Sequence, residues 1–139
     1  MNRSSKIILF SLITCCISPL YSQDLSKKEF IRAIQEADIS YYYDEDYVKA
    51  ASLYEPLLKS HPDNSSLQAK LGISYLNIDG KKLEALKLLK TASKNVVASD
   101  KEYVEYGEKA PLDAYLYLAV AYHVNDSLEK AITWYATAR

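Results

Sequence analysis

Acid-base, metal and nucleophilic chemistry needs histidines, cysteines or closely spaced carboxylates, and this chain has few in positions that favour such work. It contains two histidines and two cysteines. His61 precedes Pro62 between two apolar-periodic stretches, the setting of a solvated turn residue. His123 lies one turn after Ala119 and Val120 and has no second ligand at a helical spacing, so it reads as a packed or groove-lining imidazole rather than a metal ligand. Asp126, three residues on, is better placed to cap the next helix. Asp44 and Asp46 form a carboxylate pair in a turn, where such groups are solvated caps more readily than a general acid and base. No serine sits in a G-x-S-x-G setting, and 3 glycines supply neither a phosphate loop nor a dinucleotide fingerprint. The expectation is a protein that is not an enzyme, with no cofactor and no metal site.

Composition narrows the class. The chain has 139 residues, a formal net charge of -1, 49% apolar and 25% charged residues. These values exclude collagen-like, disulfide-dense and strongly disordered classes. There is no basic excess of the kind that neutralises phosphates, so nucleic acid is not an expected partner. Thirteen tyrosines stand against two phenylalanines and one tryptophan, an aromatic bias confined to one residue type.

The N-terminus reads as an export signal. Arg3 and Lys6 precede an apolar run, Ile7 to Ile17, ended by Pro19 and followed by the small residue Ser22: a basic region, an apolar region and a cleavage region. The run is well short of the roughly 20 residues that a membrane-spanning helix needs. Residues 1–22 are therefore expected to be a signal peptide cut between Ser22 and Gln23, leaving a mature chain without a transmembrane span, exported to the periplasm or the periplasmic face of the outer membrane. Both cysteines, Cys15 and Cys16, would leave with it, so no disulfide framework is expected. The rival reading is a lipoprotein signal with Cys15 lipidated; mass spectrometry of the mature N-terminus distinguishes the two. Removal of Arg3 and Lys6 from 17 basic residues leaves 15 against 18 acidic ones, a mature charge of -3.

Beyond residue 30 the chain repeats itself. Asp38 and Gly72 are 34 residues apart, as are Tyr41 and Tyr75, while Gly72 and Ala119 are separated by 47. A repeat sets the architecture before any single motif does. Apolar residues recur at helical intervals, as at Ile34, Ala37 and Tyr41, and again at Leu118, Tyr122, Ile132 and Tyr135. Turn formers interrupt them at Asp44-Glu45-Asp46, His61-Pro62-Asp63-Asn64, Asn77-Ile78-Asp79-Gly80 and Asn125-Asp126, so each unit reads as two helices. Asp126 with Glu129, and Ser99 with Glu102, have the spacing of capping boxes. Gly72 and Ala119, opposed by Ala50, Ala85 and Ala131, would let paired helices approach closely.

These units resemble the tetratricopeptide repeat family. The third, YLYLAVAYHVNDSLEKAITWYATA, matches the family pattern at nearly every slot, and the first carries its tyrosine, alanine, tyrosine and proline slots in register at Tyr41, Ala50, Tyr54 and Pro62. Asp38 departs from the small residue the pattern holds there. The implied fold is all-α: a solenoid of three helix-turn-helix repeats at about 31–64, 65–98 and 112–139, with a spacer at about 99–111, in one domain spanning 23–139. The spacer region, 95–111, reads as an extension of the second unit plus a loop.

The resemblance also implies a function. In that family the first helix of each unit lines a concave face, which places Arg32, Gln35, Ile39, Tyr42 and Tyr43 there from the first unit, Ile73, Leu76 and Asn77 from the second, and Val120, His123 and Val124 from the third. This is an expected protein-binding groove for a protein or peptide partner in the cell envelope. Gln35 and Ile39 stand where the family's carboxylate clamp needs a cation and an amide, so binding of chaperone tails is not expected. More narrowly, the export signal ending in SQ, the long spacer and the string APLDAYLYLAVAYH resemble the N-terminal region of Bacteroidetes OmpA-like envelope proteins, one relative of which belongs to a type IX secretion apparatus. That likeness implies a longer protein, with peptidoglycan contacted only through a further C-terminal domain; alternatively, the repeats precede a catalytic domain outside this sequence.

Overall fold

The computed structural model describes residues 19–99 and 104–139, with side chains from residue 26 onward. The expected signal peptide, with Cys15 and Cys16, therefore lies outside the described residues up to residue 18, and Glu102 of the Ser99 capping pair lies outside them as well.

Among the described residues there are six helices: α1 (Pro19–Tyr42), α2 (Tyr47–Ser60), α3 (Ser65–Leu76), α4 (Lys82–Ala92), α5 (Ala114–His123) and α6 (Leu128–Thr137). The class is all-α. None of the helices is long and apolar enough to cross a membrane.

Local chemistry sets most of these boundaries. Glu45 takes a left-handed conformation (φ 53°) after α1, and Asp46 then starts α2 by accepting the Lys49 N–H at 2.9 Å. Asn64 does the same for α3, accepting the Leu67 N–H at 2.9 Å, just after Pro62 has closed α2. A side-chain oxygen in this place satisfies one of the N–H groups that a helix start leaves without a partner. Gly80 turns the chain between α3 and α4 with φ 78°, a conformation that glycine adopts without strain.

Each helix packs on the next, α1 on α2 through to α5 on α6, and α3 also touches α5. Three short turns thus make three helix hairpins, α1–α2, α3–α4 and α5–α6. The first core gathers Ile34, Ala37, Ala50, Tyr54, Leu67, Leu71 and Ala85 between the first two hairpins. The second joins Ile73 and Leu89 to Leu118, Tyr122 and Ala131. A third, small cluster of Ala69, Ala92, Ala110 and Ala114 seats the connection to α5.

Several expectations need correction. α1 starts at Pro19, well ahead of residue 31, so the first hairpin has one long arm. α4 ends at Ala92, and the described part of 93–113 is non-helical; Val96 and Ala110 pair there in a parallel bridge. Ser127, not Asp126, is the N-cap of α6, and it makes no capping hydrogen bond. Asp126 is instead the left-handed residue of the turn (φ 57°), so the Asp126–Glu129 capping box does not form. Ile132, counted in the apolar series, is 69% exposed on the outer side of α6.

The small residues do sit where helices meet. Ala50, Ala85, Ala119 and Ala131 are buried, and a Cβ built on Gly72 would lie 2.8 Å from the Leu89 Cγ and 3.3 Å from the Leu88 Cβ. Glycine to alanine within a helix ordinarily adds roughly 0.5–1 kcal/mol of stability, while overpacking a core removes about 1–3 kcal/mol. With Leu89 fully buried, the steric effect wins: Gly72→Ala is expected to lower stability by about 1–2 kcal/mol in urea unfolding. An unchanged or raised midpoint would mean that α3 and α4 do not approach this closely.

Candidate functional site

The site is built on α1 and α3, held together by a carboxylate. Asp38 on α1 accepts hydrogen bonds from the Tyr54 hydroxyl of α2 (2.5 Å) and the Lys70 ammonium of α3 (2.6 Å). The Asp38 and Lys70 side chains are 15% and 13% exposed, so this ion pair is largely shielded from water and from screening. A second phenol–carboxylate bond, Tyr75 to Glu55 at 2.6 Å, ties α3 to α2. Charge-assisted bonds of this kind are stronger than neutral ones and fix geometry as well as energy.

Beside the Asp38–Lys70 pair an open hollow of about 910 Å³ runs along α1. Gln35, Ile39, Tyr42 and Tyr43 line it, all four of them expected in the groove. Tyr42 is 64% and Tyr43 83% exposed, so large apolar ring surface faces solvent. Tyr42 is braced from behind by Tyr41, edge to face at 4.8 Å, and Tyr41 in turn meets Tyr47 at 5.3 Å. Such edge-to-face pairs orient rings beyond what area burial alone would do.

The other expected residues fall elsewhere. Arg32 is exposed on α1 and does not line the hollow. Ile73 is buried in the second core, Leu76 is half-buried between two cores, and Asn77 turns back to donate to the Ile73 carbonyl at 3.1 Å. Val120 is half-buried and Val124 exposed at the end of α5. His123 lies against Tyr135 of α6, its Nδ1 3.5 Å from the phenol oxygen, so its contact is within its own hairpin. The third-unit residues and the first-unit residues are not brought into one hollow. His61, read as a solvated turn residue, is exposed but lies against Phe30, the rings tilted by 40° with centres 4.2 Å apart.

Four lining residues were missed: Asp38, Lys70, Glu105 and Tyr106. Asp38 had a signal, since it occupies a slot where a small residue was expected. Glu105 and Tyr106 belong to the spacer, whose length marked it as unusual without telling where it would lie.

Among the described residues no group of three or more histidines, cysteines, aspartates or glutamates is placed to hold a metal ion. The arrangement offers contact groups: exposed rings, an aliphatic side chain and amide and carboxylate hydrogen-bonding groups on two helices joined by the Asp38–Lys70 pair. No family model matches the chain, and comparison with curated proteins finds no match.

The tyrosines behind the hollow are held in their protonated form. Burial, reinforced by the neighbouring phenols, pushes Tyr41 up to about 12. Burial raises Tyr54 further, with the Asp38 hydrogen bond second, and raises Tyr75, with Glu55 second. A folded-state pKa above the unfolded value of roughly 10 means that the folded form keeps protons the unfolded form has lost. Stability from these groups is thus complete below about pH 10 and falls as pH rises through the folded values, because the unfolded state then binds fewer protons. In an alkaline titration followed at 295 nm, a late class of tyrosines is expected to ionise together with loss of helical circular dichroism. Ionisation of every tyrosine near pH 10 with the helices intact would contradict the burial of Tyr41, Tyr54 and Tyr75.

Proposed function

We propose that this protein is a non-catalytic, tetratricopeptide-type scaffold of the bacterial cell envelope that binds a protein or peptide partner through the α1–α3 groove. The observation that carries this reading is the exposure of Tyr42 and Tyr43 beside Ile39 on a face backed by Tyr41 and the Asp38–Lys70 pair. Tyrosine rings offer large contact area at small entropic cost on binding, and aromatic residues are enriched among those that dominate interface energies. The 34-residue period, the three helix hairpins and the close approach at Gly72 support the repeat class. The basic, apolar and small-residue order at the N-terminus supports export.

The test is selection of peptides from a displayed random library on the wild-type protein, followed by affinity measurement with two variants. Tyr42→Glu is expected to weaken the selected peptides by at least about 30-fold, the effect of losing a contact worth about 2 kcal/mol. Ile132→Glu, on the outer side of α6, is expected to leave them unchanged. The reverse pattern would move the binding surface to α6 and defeat the groove reading.

A further inference from the structure

The groove is already occupied in part. Residues 104–110 come back over the α1–α3 cleft and are fastened there. The Gly107 N–H donates to the Val104 carbonyl at 2.8 Å, closing a turn in which a side chain at Gly107 would crowd that same carbonyl at 3.0 Å. The Ser66 N–H at the start of α3 donates to the Glu108 carbonyl at 3.1 Å, and Ala110 is pinned by backbone bonds with Asn95 and Val97, each of 3.0 Å.

Between those anchors stands Tyr106. Its ring packs, half-buried, against the first core, and its hydroxyl accepts from the Gln35 amide at 3.3 Å and donates to the Glu105 carboxylate of its own turn at 3.2 Å. A hollow opens on each side of the ring. One, of about 540 Å³, is lined by Lys27, Phe30, Ile31 and Glu108; the other is the 910 Å³ hollow that holds Ile39, Tyr42, Lys70 and Glu105. Tyr106 lines both, so it divides what would otherwise be one continuous trough along α1. In each hollow a lysine of the helical body and a glutamate of the turn are present together, Lys27 with Glu108 and Lys70 with Glu105.

We propose that residues 105–108, Glu-Tyr-Gly-Glu, are a resident ligand of the cleft, and that the partner is a peptide presenting a tyrosine next to an acidic residue, which takes the same seat. This rests on the groove being the binding surface. The seat selects for such a peptide on three counts: a gap that one ring fills, an amide donor where a phenol oxygen falls, and Lys27 in the smaller hollow beside Glu108, Lys70 on the other side being already paired with Asp38. The turn is a suitable competitor rather than a permanent plug. Its firm anchors are at 108–110, whereas Tyr106 is held by a solvent-accessible hydrogen bond and partial burial. A tethered competitor acts at an effective concentration in the millimolar range. If the seat is filled about nine-tenths of the time, the apparent affinity for an outside peptide falls about tenfold.

The experiment uses the synthetic peptide VEYGEKAP, residues 104–111, labelled with fluorescein and followed by anisotropy. It is expected to bind the Tyr106→Ala protein at least about tenfold tighter than wild type, and a peptide with alanine at its tyrosine is expected not to bind. Equal binding to both proteins, or no binding to a Tyr106→Ala protein with wild-type circular dichroism, overturns the inference. A second measurement keeps it testable should that variant fold poorly: in wild type carrying ring-labelled tyrosine, millimolar peptide is expected to move the Tyr106 resonance, and an unmoved resonance overturns it. Library peptides that bind wild type and are lost with Tyr42→Glu, together with failure of this octapeptide, would leave the groove reading standing and remove this inference alone.

Discussion

One carboxylate, that of Asp38, holds three helices in register. It takes the Tyr54 hydroxyl from α2 and the Lys70 ammonium from α3, and it does so with little water around it. Breaking a buried pair by removing one partner typically costs about 3–5 kcal/mol, because the other charge is left without compensation. The geometry of the α1–α3 cleft follows from this junction. Gln35, Ile39 and Tyr42 flank Asp38 along α1, and Lys70 reaches the same hollow from α3. A small residue at position 38 would have brought the helices together by close approach alone; the acid instead fixes both their spacing and their rotation.

The tyrosine excess has the same logic. Tyr54 and Tyr75 bury their rings and direct their hydroxyls to Asp38 and Glu55, so each supplies apolar area and a polar bond at once. Tyr41 lies partly buried where α1 meets the second core, with Tyr42 and Tyr47 packed around it. Tyr42 and Tyr43 continue the cluster outward to solvent. Phenol suits such a boundary because its body is apolar and its tip is not. Farther along the chain, Tyr115 stacks on Trp134 at 5.6 Å and fastens the third hairpin.

How much of this was legible in the chain depended on whether the determining contacts were local. The turns at Asp46, at Asn64 and at Gly80 were readable because capping and left-handed backbone are decided within a few residues. The 34-residue period announced helix hairpins, and the alanines and Gly72 announced where they touch. Helix ends without side-chain caps were less readable, which is why the Asp126–Glu129 spacing misled. That Gln35, Ile39, Tyr42 and Tyr43 share one surface was readable, since they lie along one helix. Lys70 and Tyr106 were not, because a contact between residues 32 or 71 positions apart leaves no periodic trace. The burial of Ile73 was not readable for a related reason: it is set by the α5 residues that cover it, which local patterning does not report.

The junction at Asp38 is the claim on which groove, turn and partner all rest, and a thermodynamic cycle addresses it directly. Stabilities of Asp38→Ala, Lys70→Ala and the double variant would be measured by urea unfolding, with Asp38→Ala and Tyr54→Phe as a second cycle. Groups sharing one carboxylate should be coupled by about 1–3 kcal/mol in each cycle. Effects that add to within roughly 0.5 kcal/mol in both cycles would mean that Asp38 does not join these helices.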